Sequence, residues 1–249
     1  MSKQINYDAL FSGVIGQDYA LLKLICPLMT DMSRLVGESV RDYSAKTDNL
    51  KVVELGGGTG ITTLALLTAR EDLHVISIDN EPTMQNQAKQ NLKPWHDKGR
   101  VDFNNQDALS ALRTMATASA DLVASAYTLH NFQADYRNDV VREIFRVLKP
   151  AGRFVNGDRY ALDDISLHTR MIQEEVSGYF KVLTEINRLD LLEHWIVHLF
   201  SDESENHVMR ESPALQQLQD AGFSNIAITN RMEVNALVTA VKPVIDELT

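Results

Sequence analysis

Short apolar runs alternate with stretches of helical periodicity along most of the chain. Between Asp18 and Val40, Leu21, Leu22, Leu24, Ile25, Leu28, Met29, Met32, Leu35 and Val36 recur at helical spacing. This predicts one or two amphipathic helices, kinked or broken at Pro27. A βαβα order follows: strand Lys51 to Leu55, helix Ile61 to Ala69, strand His74 to Asp79 and helix Thr83 to Leu92. Strands Val101 to Asn104 and Asp121 to Ala126, helix Asn138 to Leu148 and strand Arg153 to Gly157 continue the series. Such a succession predicts a mostly parallel sheet covered on both faces.

Beyond it, the Gly-poor stretch from Ala161 to Arg210 is helical in pattern from Asp163 to Phe200 and reads as an insertion. Helix Ser212 to Ala221 is closed by Gly222 at C′, and strands Ile226 to Thr229 and Ala236 to Val241 form a terminal hairpin around Asn230 to Val234. The expected architecture is one α/β domain over 1–249. A helical cover occupies 1–48, a ligand-binding core 49–160, the insertion or lid 161–211, and the last helix and hairpin 212–249.

Composition narrows the function. With 249 residues and 44% hydrophobic content the chain can bury a full core. A net charge of -10, from 34 acidic against 24 basic residues, repels polyanions, so nucleic acid is not an expected partner. The single cysteine, Cys26, excludes an internal disulfide or a multi-thiolate metal site and reads as a helix core residue. No secretory signal or run of roughly 20 apolar residues is present, so a cytoplasmic protein without a membrane partner is expected.

The densest chemical signal is Val52-Val53-Glu54-Leu55-Gly56-Gly57-Gly58-Thr59-Gly60, where an apolar strand turns into a helix. Glycines let the backbone bend sharply and approach a ligand, and the helix amino end offers free N–H donors. The spacing is G-x-G-x-G rather than the dinucleotide fingerprint G-x-G-x-x-G, which disfavours a nicotinamide-dependent oxidoreductase. No Gly-Lys-Ser/Thr follows, which excludes a Walker loop. The next strand ends in Asp79, where α/β folds place a carboxylate that accepts from a ribose diol, although a turn before Pro82 would also use an aspartate.

With Ile78-Asp79, Gln106-Asp107-Ala108, Asp121-Leu122-Val123 and Leu148-Lys149-Pro150-Ala151-Gly152 in that order, the chain resembles the class I S-adenosylmethionine-dependent methyltransferases over Lys51 to Tyr160 and Leu218 to Phe223. The resemblance implies a Rossmann-like, doubly wound sheet of about seven strands, with S-adenosylmethionine as cofactor and S-adenosylhomocysteine as product. It sets the methionine end of the cofactor against Glu54, Gly56, Gly57, Gly58 and Gly60, and the ribose on Asp79 and Asn80. Asp107 and Ala108 flank adenine, and Met84 packs either on the base or in the core. Ala126, Tyr127 and Asn131 fall in the segment that lines the channel toward the acceptor.

A second likeness, to carboxy-S-adenosylmethionine synthases, runs through Ile78-Asp79-Asn80-x-Pro82-x-Met84, Thr128-Leu129 and the helix with Tyr19. It implies that Tyr19 lies near the methionine carboxylate. Those enzymes hold an extra carboxylate with an arginine, and Arg188 and Arg210 are out of register for it. Methyl transfer to the oxygen or nitrogen of a small molecule is therefore the expected reaction. Carboxy-S-adenosylmethionine synthesis and a non-catalytic cofactor-binding module are the alternatives.

The sulfonium methyl is already activated, so alignment and exclusion of water are the main tasks, with a general base helping some acceptors. His130, after the fourth strand, is the candidate base, or else a loop histidine packed beside Phe132. His194 and His198 lie four apart and so share a helix face, with Trp195 beside them; two histidines at that spacing can bind a metal, but no Glu stands between them as in metalloproteases, and the pair reads as a lid or interface face. No metal site is expected. The insertion's aromatics fit either a lid or a homodimer face.

Overall fold

The computed structural model describes Tyr19 and residues 23–44 and 49–244; Leu21 and Leu22 of the predicted first helix lie outside the described residues. Helix α1, Pro27–Arg41, starts at the proline, which sits in the first turn where its missing N–H costs nothing. Pro27 thus begins this helix, and residues 23–25 before it are also helical.

The core unfolds as β1 Leu50–Leu55, α2 Ile61–Ala69, β2 Leu73–Ile78, α3 Pro82–Asn91, the single turn α4 Lys93–His96, β3 Val101–Asn104, α5 Ala108–Thr114, β4 Ala120–Ala126, α6 Ala134–Val147 and β5 Leu148–Arg159. Helix α5 escaped the periodicity because only seven residues form it; Asp107 caps it by accepting from Ser110 N–H at 2.9 Å. The insertion is two helices, α7 Ile165–Glu185 and α8 Leu189–Asp202, separated where Asn187 takes a left-handed φ of 55°. Helix α9 Glu211–Asp220 and strands β6 Ser224–Met232 and β7 Asn235–Val241 complete the chain.

Seven strands form one sheet in the order β3-β2-β1-β4-β5-β7-β6, parallel except for β7, which runs antiparallel to both neighbours. Strands β1 and β4 are sandwiched on both faces: Val52, Val53, Leu55, Leu122 and Val123 are wholly buried. Each such side chain contributes about 1.5–3 kcal/mol, which explains why these two strands read as unbroken apolar runs rather than alternating ones. The strand order reverses between β1 and β4. Ligands of open α/β sheets bind outside the carboxyl ends of the strands at such a reversal. No helix among the described residues is long and apolar enough to cross a membrane.

Candidate functional site

A cavity of about 810 Å³ opens at that reversal, near the upper end of the roughly 300–1,000 Å³ usual for small-molecule sites. Its floor is the glycine loop. Gly56, Gly58 and Gly60 have φ of 70°, 52° and 98°, a region that residues with a Cβ rarely enter. Gly56 is also forced by its surroundings: a Cβ there would fall 2.7 Å from Thr128 Cγ2, because Thr128 crosses from the end of β4 and donates to Leu55 O at 3.2 Å. A Cβ on Gly58 would meet no atom within 4 Å and would project into the cavity that this residue lines.

The loop is tied to β2. Gly56 and Gly57 N–H donate to Ile78 O at 2.8 and 3.1 Å, and Gly58 N–H donates to the Asp79 carboxylate at 2.7 Å. The other Asp79 oxygen accepts from Glu81 N–H at 2.8 Å, which holds the carboxylate at the cavity edge beside Asn80. Asp107 and Ala108, at the start of α5, also line the cavity. Hydrogen bonds from Ser110 and then from Tyr136, whose hydroxyl donates at 2.8 Å, outweigh partial burial and hold the Asp107 carboxyl down at about 2. Burial in turn pushes the Tyr136 phenol up to about 12, so it stays a donor.

Ala126, Tyr127 and Asn131 line the opposite wall. Tyr127 adopts a left-handed φ of 49°, strain that a non-glycine residue keeps only where its surroundings impose it. Its hydroxyl donates to Asn235, and its carbonyl accepts from Asn131 Nδ2 at 3.2 Å. Met84 is 48% exposed and lines the cavity, so of its two readings the core one does not hold.

Four predicted residues are placed elsewhere. Glu54 is fully buried behind the loop, where Thr63 Oγ1 donates to it at 2.6 Å and its other oxygen has no partner. Burial pushes its carboxyl up to about 7. Gly60 is the left-handed residue before α2 and packs against Leu92 rather than the cavity. Tyr19 is buried in a cluster with Ile61, Leu64, Ala65 and Leu92. His130 is 5% exposed and lies one layer behind the wall; its Nδ1 is 2.5 Å from Asp158 Oδ1, so it cannot meet an acceptor in the main cavity.

The cover is only partly legible in the sequence. Met29 and Ser33 of α1 and His194, Trp195 and His198 of α8 line the cavity. One face of the insertion therefore closes the site, while Val197 and Phe200 on the same helix remain exposed. Tyr136 carries no signal in the sequence, and Thr128 stands there only within the Thr128-Leu129 likeness, because their roles depend on contacts with Asp107 and Gly56. Two carboxylates, Asp79 and Asp107, an apolar stretch of Ile78, Met84 and Ala108, and a loop open to close approach fit an adenosine bearing a methionine chain.

Residues 52–152 match the family model described as "Methyltransferase domain". A carboxy-S-adenosyl-L-methionine synthase of Campylobacter lari is 22% identical over 211 residues, 83% of this chain and 85% of the relative. A demethylmenaquinone methyltransferase of Leptospira interrogans is 35% identical over 126 residues, 51% of this chain and 48% of the relative. Among solved structures, an O-methyltransferase family protein from Burkholderia thailandensis superposes with a TM-score of 0.64 at 18% identity, covering 95% of this chain. This chain spans only 59% of that structure's length and about half of the Leptospira enzyme. Taken with the sheet order and the glycine loop, these matches show a methyltransferase-domain likeness over residues 52–152 and, for the described chain, the Rossmann-like fold of S-adenosylmethionine-dependent methyltransferases.

Proposed function

We propose that the protein transfers the methyl group of S-adenosylmethionine to the oxygen or nitrogen of a small-molecule acceptor held under α8. The observation that carries this reading is the lining of the cavity: none of the described residues in it is a lysine or arginine. Such a site offers no counter-ion to a polyanion, nor to a second carboxylate on the cofactor.

When bound, the cofactor supplies an activated methyl group; the chain's residues bind, orient and exclude water. The side-chain-free backbone of Gly56 to Gly58 lets the methionine chain approach closely, Asp79 accepts from the ribose hydroxyls, and Asp107, oriented by Tyr136, accepts from the adenine amine. Trp195 and Met29 cover the methyl-bearing end and keep water from it. His130 reaches this region only through a small side pocket that shares Tyr127, Asn131 and Trp195 with the main cavity.

The relatives named carboxy-S-adenosyl-L-methionine synthases motivate a second reading. Against it, Arg188 pairs with Asp190 at 2.7 Å on the surface, and Arg210 donates to Leu162 O at 2.7 Å. Arg159, the one arginine in the side pocket, is gripped by both oxygens of Glu175 at 2.8 and 3.0 Å. Mass spectrometry of the ligand that copurifies with the protein separates the readings. Plain S-adenosylmethionine or S-adenosylhomocysteine is expected, together with label transfer from methyl-labelled cofactor to a low-mass product in metabolite extracts. A carboxylated cofactor, or no release of S-adenosylhomocysteine with any extract, would overturn methyl transfer.

A further inference from the structure

We propose that His130, His198 and Asp202 form a binding site for one divalent transition-metal ion of the zinc or ferrous class, in the side pocket that adjoins the cofactor cavity. His130 comes from the 3₁₀ turn after β4, whereas His198 and Asp202 lie one turn apart on α8. Their ligand atoms all lie within 4.8 Å of one another. Asp202 Oδ2 is 3.7 Å from His130 Nε2 and 3.5 Å from His198 Nε2. A tetrahedral ion with bonds of roughly 2.0–2.1 Å spaces its ligand atoms by about 3.4 Å, so a shift of a few tenths of an ångström closes these two edges.

Two further observations point to a cation. The first is orientation. His130 Nδ1 is held by Asp158 Oδ1 at 2.5 Å, and Asp158 is fixed in turn by the N–H groups of Leu129 and Arg159, each at 2.9 Å. With the ring proton on Nδ1, Nε2 presents its lone pair toward Asp202. A carboxylate behind a histidine is the usual support of a metal ligand, setting both tautomer and ring angle.

The second observation is charge. Asp202 is 8% exposed, and no donor among the described residues makes a hydrogen bond to its carboxylate. Arg159, the cation of this pocket, is engaged by Glu175 at 2.8 and 3.0 Å, and Glu203 by His168 at 2.7 Å. A buried carboxylate without a partner is costly, and a cation held jointly with His130 and His198 would supply one.

Three protein ligands leave a coordination position open toward the side pocket of about 60 Å³, which is walled by Tyr127, Asn131 and Trp195 as is the cofactor cavity. An acceptor's phenol or alcohol oxygen can bind there as its anion, its proton passing to solvent before the methyl is transferred. The ion would lower the acceptor's pKa and remove the need for a base in contact with it. This role rests on the methyl-transfer reading; the binding site itself does not.

The test titrates metal-free, full-length protein with Co²⁺ and with Zn²⁺. Cobalt is followed by its visible absorption, zinc by competition with a chromophoric chelator, and S-adenosylmethionine affinity is measured separately by calorimetry. One equivalent of tightly bound metal is expected. His198→Ala and Asp202→Asn, which alter the accessible side of the site, should each weaken binding at least about 100-fold, beyond the 10–100-fold typical for losing an outer partner of a ligand. His74→Ala, on the half-buried start of β2, should leave the affinity unchanged, and circular dichroism verifies that each variant is folded. Lack of one-equivalent binding, or undiminished affinity in folded His198→Ala and Asp202→Asn, would overturn the site. Metal binding without S-adenosylmethionine binding would sink the methyltransferase reading and leave the metal site standing; cofactor binding without metal binding would do the reverse.

Discussion

Replacing Glu54 by glutamine should make the protein more stable, and increasingly so as pH rises. Glu54 is wholly buried in β1 behind the glycine loop, with one oxygen accepting from Thr63 at 2.6 Å and the other without a partner. Burial pushes its carboxyl from 4.5 up to about 7, against the pull of hydrogen bonds from Thr63 and Ser77 and with some help from the charge of Asp79. Between those two values the folded protein binds the proton that the unfolded chain has released. The stabilisation from a protonated Glu54 is therefore full below pH 4.5 and is lost as pH rises through 7. At 1.36 kcal/mol per pH unit, the ionised side chain costs about 3 kcal/mol at pH 8.

Glutamine keeps the shape and the acceptor for Thr63 and cannot ionise. The stability difference between Glu54→Gln and wild type should thus grow from under about 1 kcal/mol at pH 5 to about 3 kcal/mol at pH 8. For a chain of this size that corresponds to roughly 6–12 °C in Tm at the upper pH. Urea unfolding of both proteins at pH 5, 6, 7 and 8 reads the difference directly. A constant offset across that range would show that Glu54 ionises in the fold as it does in water, and the linkage argument would fail.

Three further substitutions probe the cavity. Asp79→Asn removes the charged acceptor at the proposed ribose position and should weaken S-adenosylmethionine binding by about 10–100-fold, the worth of a charge-assisted hydrogen bond; an unchanged Kd in calorimetry would take Asp79 out of the site. Gly56→Ala places a Cβ 2.7 Å from Thr128 Cγ2 at a φ of 70°, so a loss of roughly 1–3 kcal/mol in stability is expected together with lost cofactor binding. A variant that melts and binds like wild type would contradict the loop geometry. Tyr136→Phe removes the donor to Asp107 and the acceptor for Leu109 N–H at 3.1 Å, which should cost about 1 kcal/mol in denaturant unfolding and a few-fold in cofactor affinity. Equal affinity would show that Asp107 is held without it.

The strands and the glycine loop that form the cavity were legible before folding because their signals are local. A strand buried on both faces has to be apolar throughout, as in Val52-Val53 and Leu122-Val123, and a bend against a ligand has to be glycine, as at Gly56 and Gly58. Asp79 and Asp107 each close a strand or open a helix, so their positions follow from chain direction alone. Local pattern also misled: Glu54 adjoins the loop in sequence yet faces the core, since alternate residues of a strand point to opposite faces. Gly60 answers to Leu92 rather than to a ligand.

What required tertiary structure is whatever depends on distant segments meeting. The helical spacing of His194 and His198 suggests a pair, but the partner that comes to within 4.8 Å of His198 is His130, from the turn after β4, with Asp202 between them. No periodicity encodes that meeting; it arises when the α7–α8 insertion folds back over the carboxyl end of the sheet and buries Trp195 against Tyr179. Residues near in sequence share a site through backbone geometry, whereas residues 68 apart share one only through the packing that brings their elements together.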